Sequence, residues 1–84
     1  MYYVYIIQSK KNKKLYFGFS QDLKRRFKEH NNGFSRYTRN GIPWELIYYE
    51  AYKSKKDALT REEKLKQFKK GYAMLKTRIE KSLN

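Results

Sequence analysis

The segment formed by residues 2–8, YYVYIIQ, carries an aromatic or β-branched side chain at every position but the last. A run of this kind predicts a β-strand, and alternation along a strand assigns its side chains to two faces. Because a strand with two apolar faces has to be covered on both, the segment predicts the central strand of a sheet between packing elements. The two apolar sets are Tyr3, Tyr5 and Ile7 on one face, and Tyr2, Val4 and Ile6 on the other.

Two further segments predict the neighbours of this strand. Residues 15–19 (LYFGF) and residues 44–52 (WELIYYEAY) are rich in aromatic and aliphatic side chains and predict the second and third strands. The polar stretch over residues 9–14 (SKKNKK) predicts a turn, so we expect the first two strands to form a hairpin.

Three helices complete the predicted order ββαβαα, which indicates a small α+β fold built on an antiparallel sheet. A chain of 84 residues without repeats or linkers predicts one domain over residues 1–84. We expect the helices to cover residues 20–31, with Ser20 as N-cap, residues 54–70, with Ser54 at the start, and residues 72–83, after Gly71.

Composition restricts the function. The 21 Lys and Arg residues against 8 Asp and Glu residues give a net charge of +13, which attracts polyanions, nucleic acid before others. A basic surface that only keeps the protein soluble, or one that binds an anionic membrane, would explain the same charge.

The chain has no Cys, which excludes disulfides and a Cys nucleophile. No apolar run approaches the ~20 residues of a membrane span, and the N-terminus lacks the pattern of a signal peptide, so we expect a soluble cytoplasmic protein.

The first helix carries polar residues on its apolar face. At ~100° per residue, Leu23, Arg26, Phe27 and His30 share one arc, with Arg26 at its rim. A guanidinium there needs an anionic partner, either an internal carboxylate or a phosphate. His30 is the single His, and such a residue on an apolar face is more often structural than functional. The residues that face away from this arc are Lys24, Arg25, Lys28 and Glu29.

The second helix places Glu62 near the middle of an arc formed by Ala58, Leu59 and Leu65, while Arg61 and Lys64 point away. A carboxylate on an apolar face is costly unless it is paired or bound to a cation. Two interpretations stay open: a buried ion pair, for example with Arg26, or a ligand of a divalent cation such as Mg²⁺, which takes one or two carboxylates.

The hydroxyls of Tyr5 and Tyr16 are expected on the same side of the sheet if the hairpin closes over residues 9–14. One interpretation is that both residues are core tyrosines whose hydroxyls have hydrogen-bond partners. The other is that a metal and an Arg nearby lower the pKa of the phenol, so that Tyr16 accepts a proton from water.

Together these residues resemble the GIY-YIG nucleases. The segments Tyr3-Val4-Tyr5 and Tyr16-Phe17-Gly18 are similar to the pattern that names the family. Arg26 and His30 fall where the family carries an Arg and a His or Tyr in its first helix, and Glu62 falls where it carries its metal-binding Glu.

The middle of the chain resembles the small stand-alone bacterial branch of this family, often described as relatives of the C subunit of the excision-repair nuclease. The similar segments are HNNG at residues 30–33, YT at residues 37–38 and PWELIYYE at residues 43–50. The Asn that some members carry soon after the metal-binding Glu is absent from residues 63–83.

The resemblance implies a three-stranded antiparallel sheet flanked by helices and a metal-dependent hydrolysis of phosphodiester bonds. One divalent cation, Mg²⁺ or Mn²⁺, would bind Glu62 and hold the scissile phosphate. Tyr16 would deprotonate the attacking water, Arg26 would stabilise the charge of the transition state, and Tyr5 and His30 would position or protonate groups around it.

The resulting hypothesis is a DNA-repair endonuclease that selects its substrate by structure or by strand. The residues expected to contact the backbone of the substrate are Lys24, Arg25, Lys28, Arg36 and Arg39. One alternative is a nucleic-acid-binding module on a GIY-YIG scaffold that cuts weakly or with a partner. Another is action on RNA. The sequence leaves the substrate, the metal and the oligomeric state open.

Overall fold

The elements of the chain follow the predicted order. The structure is a computed structural model, and it describes residues 1–67, 76 and 78–82. The elements are β1 (Tyr2–Ser9), β2 (Leu15–Ser20), α1 (Leu23–Asn31), a short 3₁₀ turn (Arg39–Gly41), β3 (Trp44–Tyr52), α2 (Lys55–Gln67) and a second 3₁₀ turn (Glu80–Ser82). The end of the second predicted helix and half of the third, together with Gly71, lie outside the described residues.

The sheet has the strand order β2-β1-β3, and both pairs are antiparallel, so β1 is the central strand as predicted. Tyr5 stands opposite Gly18 on β2 and opposite Tyr49 on β3. The register between β1 and β3 shifts after Ile6. Such a bulge increases the local twist of the sheet.

Each face of β1 belongs to its own apolar cluster, which confirms the prediction of two covered faces. On one face, Val4 and Ile6 are fully buried with Ala58 and Leu65 of α2 and with Ile79. The opposite cluster contains Tyr5, Ile7 and Trp44, packed against Leu23 and Phe27 of α1. The two helices therefore cover opposite faces of the sheet. In the described part of the chain, no helix has the length and apolar character to cross a membrane.

The start of α1 differs from the prediction. Ser20 is the last residue of β2, where it pairs with Tyr3, so it is held in the sheet and cannot serve as the N-cap. Asp22 takes that role, and its Oδ1 accepts from the N–H of Arg25 at 3.1 Å. At α2 the predicted cap is confirmed, because Ser54 Oγ accepts from the N–H of Asp57 at 3.3 Å.

The buried face of α2 also differs from the prediction. Ala58 and Leu65 are buried, but Leu59 is 40% exposed, and Arg61 turns toward the sheet instead of the solvent. The reason is a carboxylate beneath the helix: Glu50 of β3 accepts from Arg61 Nε at 3.0 Å and from Nη2 at 3.1 Å. The Glu62 side chain is 17% exposed, so it lies on the partly buried side of α2.

Glu50 is the centre of a half-buried polar network that joins α2 to β3. Besides Arg61, the hydroxyls of Tyr48 and Tyr52 donate to this carboxylate. Burial works to raise the pKa of Glu50, but the hydrogen bonds from Arg61, Tyr48 and Tyr52 outweigh it and hold the pKa below 4.5. The charged form of Glu50 is therefore the form that stabilises the fold.

We expect Glu50→Gln to lower the free energy of unfolding at pH 7 by about 1–3 kcal/mol, because it removes a charged partner of Arg61. The folded-state pKa is depressed, so this contribution is present above the ordinary glutamate pKa of about 4.3 and is lost as the pH falls. Urea unfolding of both proteins at pH 7 and pH 3 measures the difference, with exposed Glu63→Gln as control. An equal difference at both pH values would contradict this account.

Candidate active site

Tyr5 and Tyr16 reach the same side of the sheet from neighbouring strands. Tyr5 is 1% exposed, and its ring lies across β2 above Gly18. A Cβ atom at position 18 would lie 2.3 Å from both Cζ and Oη of Tyr5, so a residue with a side chain would displace the ring. The Gly of the second sequence motif is therefore required by the Tyr of the first.

His30 comes from the last turn of α1 and is fully buried beside both tyrosines. Its Nε2 lies 2.7 Å from the Tyr5 hydroxyl oxygen, and its Nδ1 lies 2.7 Å from Thr38 Oγ1. The Tyr16 ring meets the imidazole edge to face, with centroids 5.1 Å apart. Sequence analysis did not identify Thr38 as the partner of His30, since the two meet only through the fold of the loop between them.

The imidazole of His30 is neutral at physiological pH. Burial lowers its pKa most, the charge of Arg26 lowers it further, and Glu29 opposes them, which brings the pKa to about 4. Arg26 also acts on Tyr5, whose pKa it lowers. The neutral imidazole of His30 has one N–H and one lone pair for its two partners, Tyr5 and Thr38.

Tyr5 remains protonated over the physiological range. Burial contributes most to raising its pKa to about 12, and the neighbouring Tyr16 and Glu62 raise it as well, against the opposing effect of Arg26. The Tyr5 hydroxyl is therefore a hydrogen-bond donor and not a base at neutral pH.

Arg26 has the internal carboxylate partner that sequence analysis left as one alternative, but the partner is Glu29. Its Nη1 donates to Glu29 Oε1 at 3.0 Å, and Arg25 Nε lies 3.9 Å from the other oxygen of this carboxylate. The Glu29 carboxylate is thus held by two arginines of its own helix, three and four residues before it. The side chain of Arg26 is 33% exposed, so its guanidinium remains accessible from solvent.

Glu62 lies on α2, near enough for its charge to act on Tyr5. Its side chain is 17% exposed and its Oε2 accepts from Lys66 Nζ at 3.2 Å. Among the ion pairs of the described residues, none joins Glu62 to Arg26, and no three His, Asp or Glu side chains there converge on one point. A single accessible carboxylate fits a Mg²⁺ or Mn²⁺ ion that completes its shell with waters and phosphate oxygens.

The profile of the GIY-YIG catalytic domain matches residues 1–74. The chain belongs to the GIY-YIG nuclease family. This membership implies a nucleic-acid substrate, and members of the family generally use a divalent metal ion.

Relatives of similar size support the assignment. The chain is 43% identical over 63 residues to the UPF0213 protein CPE1444 of Clostridium perfringens, covering 74% of this chain and 67% of the relative. It is 37% identical over 68 residues to the UPF0213 protein HQ_3675A of Haloquadratum walsbyi, covering 80% and 75%. The solution NMR structure of the UPF0213 protein BH0048 from Bacillus halodurans matches with a TM-score of 0.59 and 32% identity, over 92% of this chain and 84% of that one. The predicted α+β fold and the small stand-alone branch are confirmed.

The basic residues expected to contact nucleic acid lie on two exposed surfaces of this GIY-YIG domain. Lys24, Arg25 and Lys28 are exposed on α1, whereas Arg36 and Arg39 are exposed on the loop after it. The same loop carries two exposed aromatic side chains. Tyr37, which is 86% exposed, lies between the two arginines in the sequence, and Phe34, which is 73% exposed, precedes them. Sequence analysis assigned neither ring to a nucleic-acid surface, although the alternation of rings and arginines in FSRYTR was visible.

We expect His30 to remain neutral in the folded protein at every pH above about 5, because its pKa is about 4. His30 is the single His, so its Cε1–H signal can be followed without ambiguity in an NMR titration. The urea-unfolded chain serves as control and should titrate near pH 6.5. Since only the unfolded chain binds this proton between pH 6.5 and 4, stability should fall over that range as the pH is lowered. A folded-state midpoint near 6.5 would contradict the buried neutral imidazole.

Proposed function

We propose that this chain is a metal-dependent endonuclease that hydrolyses phosphodiester bonds in DNA and selects its substrate by structure or strand. The observation that carries this proposal is the convergence of Tyr5, Tyr16, Arg26 and His30 in one cluster, with the Glu62 carboxylate beside it. Phosphodiester hydrolysis needs an activated water, a Lewis acid and cationic stabilisation of the phosphate, and these residue types provide or hold those parts.

Each residue of the cluster has a proposed role. Tyr16 is the proposed general base for the attacking water. Arg26, partly exposed and cationic, binds a phosphate oxygen and stabilises the negative charge that develops in the transition state. Tyr5 and the neutral His30 are held as a hydrogen-bonded pair that fixes the geometry around the phosphate.

Glu62 is the proposed metal ligand. When bound, a Mg²⁺ or Mn²⁺ ion supplies Lewis-acid charge at the scissile phosphate. The effect of the Glu62 charge on Tyr5 supports this proposal, because it indicates that the carboxylate is near the cluster.

Selectivity for structure or strand follows from the distribution of charge. Exposed cations are suited to phosphate contacts, which carry no sequence information. The exposed cations of this kind are Lys24, Arg25, Lys28, Arg36 and Arg39.

We propose that residues 1–84 form one catalytic domain.

One observation favours the alternative of a nucleic-acid-binding module with weak or partner-dependent cleavage. Lys66 is ion-paired with Glu62 at 3.2 Å, so a metal ion must compete with this ammonium for the carboxylate. A protein that binds its metal ion weakly at Glu62 would still bind nucleic acid but would cleave it slowly.

We expect Glu62→Gln and Tyr16→Phe each to reduce cleavage at least about 10²-fold, since each removes a group required in the transition state. Supercoiled plasmid, single strands and flap or bubble oligonucleotides, incubated with Mg²⁺ or Mn²⁺, provide the assay. The matched control is Glu63→Gln, which changes the same functional group one position along α2 and should cleave as the wild type does.

All three variants should bind a labelled oligonucleotide within about twofold of the wild type in EDTA, which separates catalysis from binding. A wild type that cuts none of these substrates, or a Glu62→Gln variant as active as Glu63→Gln, would contradict the proposed nuclease.

A further inference from the structure

A groove of about 430 Å³ opens between α1 and the side of the sheet formed by β1 and β3. This size lies within the ~300–1,000 Å³ of small-molecule sites. Its walls and floor are largely apolar or aromatic, and they are formed by Tyr3, Leu23, Phe27, Leu46 and Tyr49.

The groove and the candidate active site are built on the same two elements, β1 and α1. Tyr3 precedes Tyr5 by two residues on the same face of β1, and Tyr49 is the register partner of Tyr5 on β3. On the helix side, Phe27 directly follows Arg26. The groove and the site therefore lie on the same face of the sheet, the one that α1 covers.

The aromatic wall of the groove is formed by Tyr3 and Tyr49. Their rings meet edge to face with centroids 6.2 Å apart, and Tyr49 is 53% exposed. A half-exposed ring supported by a second ring offers a flat surface for stacking. Every nucleobase has a π-face, so such a surface binds bases with little sequence preference.

Charge distinguishes among possible occupants. Lys24 lines the groove, and Arg25 and Lys28 are exposed on the same helix. The carboxylate of Asp22, which also lies at the groove, is engaged as the N-cap of α1. A second copy of this chain would bring a further net charge of +13 to a basic surface and would be repelled. A nucleotide fits better, because it brings an aromatic base for the groove and a negative phosphate for the cations.

We propose that the groove binds an unpaired nucleobase, which makes single-stranded or unpaired nucleic acid the substrate class. This inference rests on the proposed function, because it takes the ligand of the chain to be nucleic acid. In a duplex, a base enters such a groove only after unpairing and unstacking, which costs a few kcal/mol. Unpaired segments avoid this cost.

Binding without cleavage tests the inference. Fluorescence anisotropy in EDTA compares a labelled single strand with a blunt duplex of the same sequence, for wild type, Tyr49→Leu and Tyr49→Phe. Tyr49→Leu should weaken binding of the single strand about 5- to 100-fold and change duplex binding less than about twofold, because only the stacking surface is lost. Tyr49→Phe retains the ring and should bind as the wild type does. Tyr3→Leu repeats the test on the second ring.

Three results would overturn the base site: an equal loss for single strand and duplex, no loss with either Leu variant, or an equal loss with Phe and Leu at position 49. A different result would reject the proposed catalysis alone. If the wild type cuts no substrate but Tyr49→Leu selectively loses single-strand binding, the base site is supported and the nuclease activity is not.

Discussion

The ring of Tyr5 lies on the backbone of Gly18, and the rest of the candidate site depends on this contact. Because position 18 has no side chain, the ring crosses β2 and carries its hydroxyl to His30. His30 is fixed in turn by Thr38, whose carbonyl accepts from the indole N–H of Trp44 at 2.7 Å. One chain of polar contacts therefore joins the central strand, the first helix, the following loop and the start of the third strand.

The charge of this cluster is also determined by its packing. His30 is buried beside the cation of Arg26, which keeps the imidazole neutral. Tyr5 remains protonated for a similar reason, since burial disfavours its anion. Arg26 is therefore the group of this cluster that carries a positive charge, and its partial exposure leaves that charge accessible from solvent. In the function we propose, the +13 of the whole chain attracts a polyanion and this guanidinium binds its phosphate.

Local pattern predicted the central strand, the bounds of β3 and the shared face of Tyr5 and Tyr16, because alternation along a strand is set by the backbone itself. The start of α1 was wrong by two residues, since pairing in the sheet holds Ser20. Arg61 was expected to point away from the sheet, because helical periodicity gives angles around an axis and does not reveal which charges lie opposite. Its partner is determined by a tertiary contact, the carboxylate of Glu50 on β3.

We propose that this cluster directs the attack of water on a phosphodiester bond. Single-turnover cleavage of an oligonucleotide in H₂¹⁸O, followed by mass spectrometry of the products, tests this role. We expect one ¹⁸O atom in each newly formed terminal phosphate and no DNA linked to the protein, because the attacking oxygen comes from solvent. Cleavage without ¹⁸O in the product, or a covalent adduct with the protein, would contradict it.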